Sequence, residues 1–176
     1  WELIFVGTMC DAGPYGGSCP PGIVVNHPSS DHAAQLSLPN VLGGDRDALL
    51  TRVGTSGNSD TGFYEGVMCH NHGPAARSIL DLSYGLAADL NADLTGGAAT
   101  GLEIFLLDGD LDDSVPPRPV PVTITVTSRR GTPQEATASV TLSILNDATS
   151  TLFLFSSFAG VDFTDVDRLV SRFDTT

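Results

Sequence analysis

Residues 120–144 constrain the fold more than any other stretch of the chain. In VPVTITVT, Val120, Val122, Ile124 and Val126 alternate with Pro121, Thr123 and Thr125. In EATASVTLSI, Ala136, Ala138, Val140, Leu142 and Ile144 alternate with polar residues in the same way. A period of two sends the two sets to opposite faces of an extended chain, whereas a helix would scatter both around its axis. SRRGTPQ between them is polar and carries Gly and Pro, so the pair is expected to be an antiparallel hairpin. Its apolar face suits a core and its Thr/Ser face suits water.

Further strands are expected at 2–8, 48–53, 62–68, 78–84, 102–108, 151–158 and 167–173. Only Val166–Phe173 also has apolar residues at spacings of three and four that fit a short helix. Gly (19) and Pro (11) punctuate the chain, and 17 of its 21 acidic residues are Asp, a turn former, rather than the helix-favouring Glu. The expectation is an all-β fold, an antiparallel β-sandwich of jelly-roll type, with residues 1–176 as a single domain. Long loops are expected at 11–22, 26–32, 54–62 and 70–77. WELIFVGT is apolar on both faces and is followed by a Gly/Pro segment. Residues 1–9 are therefore expected as an edge strand closing their own sheet, or as a donor strand completing a neighbour's. The second outcome makes the protein a homo-oligomer or polymer through N-terminal strand exchange.

The net charge of −13 disfavours nucleic acid and anionic lipid as partners. All eight basic residues are Arg, and without Lys there is no Schiff-base or P-loop chemistry. No apolar run has the length of a membrane span.

Asp108, Asp110, Asp112 and Asp113 lie within six residues directly after the apolar IFLL. Calcium takes six to eight oxygen ligands, and alternating Asp on a tight turn can aim several at one point. The stretch is not an EF-hand, because Asp113 stands where that loop needs Gly and no Glu closes it. Asp89, Asn91 and Asp93 repeat the alternation upstream. Each stretch is either a calcium site or a solvated acidic turn, since clustered carboxylates repel unless water or a cation intervenes.

Cys69, His70 and His72, with His27 and His32 on another expected loop, form the transition-metal candidate. Thiolate and imidazole are zinc and copper ligands, but the spacing matches no closed zinc site, and polar loop histidines are the plainer expectation. Gly54-Thr55-Ser56-Gly57 lacks the G-x-S-x-G nucleophile elbow. Cys10 and Cys19 flank DAGPYGGS, a short turn-rich loop that lets them pair as a disulfide and leaves Cys69 out. Of the few large aromatics, Tyr84 alternates with Leu80 and Leu82 and belongs to the core, leaving Tyr15 and Tyr64 as sugar-stacking candidates.

Three stretches carry a resemblance: VLGGDRDALLTRVG (41–54), LSYGLAADLNADLTGGAATGLEIFLLDGDLDD (82–113) and TLFLFSSFAGVDFTDVDRLVSRFD (151–174). In this order, with a Thr-rich hairpin between the last two, they resemble secreted bacterial β-sandwich proteins that often carry a PEP-CTERM sorting tail. The resemblance implies export and a cell-surface or extracellular-matrix role, and it supplies no catalytic residues. No sorting tail follows Phe173, so the chain is expected to be a processed form, a member without the anchor, or part of a longer protein.

The sequence thus points to a non-catalytic secreted structural or interaction protein, stabilised by calcium and self-assembling. A carbohydrate-binding module with polysaccharide as partner is the rival class. A metal-dependent enzyme built on the His/Cys loops comes third.

Overall fold

The alternating residues 120–144 form the hairpin that their pattern dictates. In the computed structural model, β9 (Val120–Ser128) pairs antiparallel with β10 (Ala136–Ile144), from Ala136 opposite Ser128 to Ile144 opposite Val120. The structure describes residues 4–7, 23–25, 30–35, 41–53, 59–64, 67–72, 77–108, 120–144 and 149–176. The other strands are β1 (Ile4–Gly7), β2 (Ile23–Val25), β3 (Ser30–Gln35), β4 (Arg46–Arg52), β5 (Ser59–Tyr64) and β6 (Val67–His72). They continue with β7 (Ser78–Tyr84), β8 (Gly101–Asp108), β11 (Thr149–Leu154) and β12 (Val166–Asp174).

The fold is all-β. One six-stranded sheet runs β11-β8-β1-β6-β5-β2 and the other β10-β9-β12-β7-β4-β3. Their edge strands touch at both sides, β10 against β11 and β2 against β3. The second sheet turns Leu50, Leu80, Leu82, Tyr84, Val122, Ile124 and Val126 inward, and Ile104 and Phe153 of the first sheet join the same buried cluster. Each such side chain contributes roughly 1.5–3 kcal/mol by leaving water, which is what holds two sheets together. At one end Phe163 caps the cluster, stacked on Phe155 with ring centroids 4.0 Å apart and edge-on to Phe158 at 5.5 Å.

Several expectations need correction. The single strand expected at 62–68 is a hairpin of β5 and β6, with Tyr64 opposite Val67. The expected loops around His32, His70 and His72 are therefore strand in part, His32 on β3 and the other two on β6. Alternation cannot separate one seven-residue strand from the ends of two successive strands, and a single Gly, Gly66, is a weak signal of a break between them. The strand expected at 167–173 is present as β12 in the middle of its sheet, where two neighbours satisfy its backbone, so the helical alternative at Val166–Phe173 falls away. β1 is not an edge strand. It lies between β6 and β8 and is parallel to both, an exception among otherwise antiparallel ladders.

β12 also carries an irregularity against β9 between Val166 and Arg168. Val166 and Asp167 are consequently both buried, and alternation resumes one residue out of step. A bulge of this kind re-aims a side chain. Here the Asp167 carboxylate accepts the backbone N–H of Arg130 in the β9–β10 turn.

Candidate functional site

The polar face of the β9–β10 hairpin is a ladder of hydroxyls. Thr123 meets Thr141 at 2.7 Å, Thr125 meets Ser139 at 2.8 Å and Thr127 meets Thr137 at 2.9 Å. Each pair is directly opposed in the register, where antiparallel strands bring Cβ atoms within about 4.5–5.5 Å and short hydroxyl side chains can touch. β12 continues this face with Arg168, Val170 and Arg172, whose partners on β9 are Thr127, Thr125 and Thr123. On the far side of Arg172 stands Asp81 of β7. Arg172 donates from Nε and Nη2 to the two carboxylate oxygens at 2.7 and 2.8 Å, a bidentate pair that raises the pKa of the guanidinium. Arg168 has no ion pair among the described residues, and its Nε is buried without a hydrogen-bond partner. Together with the Thr side chains, these residues line an open groove of about 360 Å³. The groove carries two Arg against one Asp, in a chain of net charge −13.

The opposite face of the same sheet becomes polar at one end. Along β4 the inward residues are Ala48, Leu50 and Arg52, and Arg52 is only 3% exposed. Its register partner on β7 is Ser78, fully buried, whose Oγ lies 3.0 Å from His70 Nε2 on β6 of the other sheet. Thr175 Oγ1 accepts the Ser78 amide N–H at 3.0 Å and donates to the Ser78 carbonyl at 2.9 Å. Ser59 and Thr61 of β5 are also buried. A Ser–His contact is the start of a nucleophilic dyad. Here the hydroxyl is closed off between the sheets, so the contact ties the sheets together instead.

A third group, of Asp and Arg, gathers near the end of the β9–β10 hairpin. Arg129 pairs with Asp162, and Arg130 pairs with Asp89 at 3.0 Å. Asp93 Oδ1 accepts the Thr95 amide at 2.8 Å and its hydroxyl at 2.6 Å. Asp162 Oδ1 accepts the same two groups of Thr164 at 3.0 and 2.6 Å. These bonds, the hydroxyl's first and the amide's second, hold both carboxyls below their ordinary pKa.

The upstream acidic set is thus engaged within the chain. Asp89 faces Arg130, and Asn91, in the left-handed region at φ 47°, donates to the Asp89 carbonyl at 3.1 Å. Asp93 caps its own turn. Among the described residues no group of three or more His, Cys, Asp or Glu is arranged to hold a metal ion. Asp108 ends β8, while Asp110, Asp112 and Asp113 lie outside the described residues. Cys69, His70 and His72 share β6, and of these His70 makes the Ser78 contact. Tyr64 ends β5; Tyr15, Cys10, Cys19 and His27 lie outside the described residues.

Sequence reasoning missed Arg52, Ser78, Asp81, Arg168 and Arg172. A signal for Arg52 was present, because it occupies the core-facing parity of ALLTR, where a charge is out of place. The others depend on which strands are neighbours. No family model, curated protein or solved structure matches this chain. Fold and site together describe an all-β fold of two six-stranded sheets with an open groove of Thr and Arg side chains on the outer face of one of them.

Proposed function

We propose that the protein is a non-catalytic, secreted interaction module of the cell surface or extracellular matrix, and that it holds a polysaccharide on the outer face of the second sheet. The observation that carries this is the groove where the Thr123, Thr125 and Thr127 rungs meet Arg168 and Arg172. Hydroxyls that both donate and accept, fixed at strand spacing, match a hydroxyl-rich chain molecule. Arg168 supplies a cation for an acidic sugar, while Arg172 is already engaged by Asp81. No aromatic side chain among the described residues lines the groove, so hydrogen bonds and charge carry recognition. Affinity electrophoresis in chelator, through gels containing alginate (a polyuronate) or dextran (neutral), tests this. Retardation by alginate, weakened by Arg168→Met and by Thr125→Val, supports it. Because the chain itself is strongly acidic, such retardation cannot be simple ion exchange. Free passage through both gels refutes it.

A second, compatible reading is self-assembly, and the position of β1 favours it. Withdrawing β1 leaves β6 and β8 each with an unpaired edge, a slot that an identical strand from another copy would fill. A chain lacking residues 1–9 keeps the slot but has no strand to donate, so it should stay folded, fail to self-associate and bind a peptide of residues 1–9. A truncated chain that is unfolded even in isolation, or one that still assembles as the full chain does, speaks against exchange. Calcium binding at Asp108, Asp110, Asp112 and Asp113 belongs to the same proposal, as a support for the folded state.

A further inference from the structure

We infer that Arg52 marks a binding site for a small carboxylate or oxoanion between the two sheets. The site is separate from the outer groove, since Arg52 points inward from β4. Arg52 is 3% exposed, and its Nε and Nη2 have no hydrogen-bond partner among the described residues. Those are the two atoms with which Arg172 grips Asp81. They form the side-on edge of the guanidinium, whose parallel N–H groups match two oxygens of a single anion. A buried Lys could escape the cost of desolvation by losing its proton, but Arg cannot, so a guanidinium out of water calls for an anion.

The surroundings suit such a guest. Ser78 stands beside Arg52 in the register and is tied to His70 of the facing sheet. On β5, which touches β4 across the sheets, the Ser59 hydroxyl is fully buried and has no hydrogen-bond partner among the described residues. Elsewhere the same inter-sheet space is filled by Leu80, Leu82 and Val122, which could not solvate an anion. The site therefore combines a fixed cation with hydroxyl donors, and its preferred ligand has one charge and two oxygens in a plane.

The test is acetate titration of the full chain at neutral pH, with chloride at equal ionic strength as reference, followed by the Nε–H NMR signals of the arginines and by thermal melting. The expected result is a saturable shift of the Arg52 Nε–H signal with that of Arg172 unmoved, and a rise in Tm over the chloride reference. Arg52→Lys keeps the charge but loses the fork, and should melt alike in acetate and chloride. An Arg52 signal that acetate does not move overturns the inference, and so does an equal acetate effect on Tm in Arg52→Lys. Should that variant not fold, the wild-type signals alone decide. Alginate retardation reads the other face of the sheet, so either proposal can fail without the other.

Discussion

The amide of Leu94 donates to the carbonyl of Phe163 at 2.8 Å, and this bond sets two turns of the same kind side by side. Asp93-Leu94-Thr95 and Asp162-Phe163-Thr164 each bury their central residue and cap themselves with the flanking pair. Ala92 and Val166 extend the contact by exchanging both backbone bonds, and Leu90 donates to Asp167. Residues 90–94 are in this way a short strand-like strap on the start of β12, which explains why the acidic stretch 89–93 is ordered by protein groups.

The first prediction concerns acid. Asp93 and Asp162 are held below their ordinary pKa, chiefly by the Thr95 and Thr164 hydroxyls and then by the same residues' amides. A group with a depressed folded pKa contributes stability above its unfolded value, about 3.9, and loses it as pH falls through the folded value. Acid weakening from these turns should thus set in below about pH 4. Thr95→Val should raise the Asp93 pKa and leave that of Asp162 largely in place, as read by NMR titration of the carboxyl carbons.

Two glycines separate backbone strain from contact. Gly85 and Gly97 have similar left-handed φ angles, 76° and 68°, but a Cβ on Gly85 would stand 2.1 Å from the Asp167 carbonyl oxygen while one on Gly97 meets open space. Gly97→Ala should cost only about 1–2 kcal/mol, the price of the φ alone. Gly85→Ala should cost at least about 3 kcal/mol, because the Asp167 backbone and the Leu90 side chain must also give way. Chemical denaturation midpoints of the two variants give the comparison.

Asp167 is the polar centre of the bulge. Asp167→Ala leaves the Arg130 amide unpaired in a part-buried place and should cost about 1–3 kcal/mol. Asp165→Ala loses only a 3.9 Å contact with Arg129 between half-exposed side chains and should cost under about 1 kcal/mol. Equal losses in urea unfolding would contradict a special role for the bulge.

Calcium, if it stabilises the protein, should act through 108–113 rather than 89–93, because Asp89 and Asp93 already serve Arg130 and Thr95. An ion bound only by the folded chain adds about 2.7 kcal/mol at a hundredfold excess over its Kd. Asp110→Asn with Asp112→Asn should abolish a calcium-dependent rise in Tm and slightly raise the calcium-free Tm by relieving repulsion. Asp93→Asn should leave the calcium increment unchanged.

What the sequence determined by itself was the period of its backbone. Val122, Ile124 and Val126 could only face one way together, and the Thr residues between them the other, so the hairpin, the all-β class and the hydroxyl face were legible in the sequence. Asp-Leu-Thr and Asp-Phe-Thr were equally local, since each turn closes within three residues. Pairing between distant strands was not local. Nothing in ELIFVGT says that β1 will lie parallel between β6 and β8, because an apolar strand satisfies an edge, a centre or a neighbour's sheet equally well. Arg172 and Asp81 meet only because β12 and β7 are adjacent, 91 residues apart in the chain. The parity of ALLTR aims Arg52 at the core side of β4, but its place opposite Ser78 and beneath the facing sheet belongs to the packed pair of sheets and not to either strand.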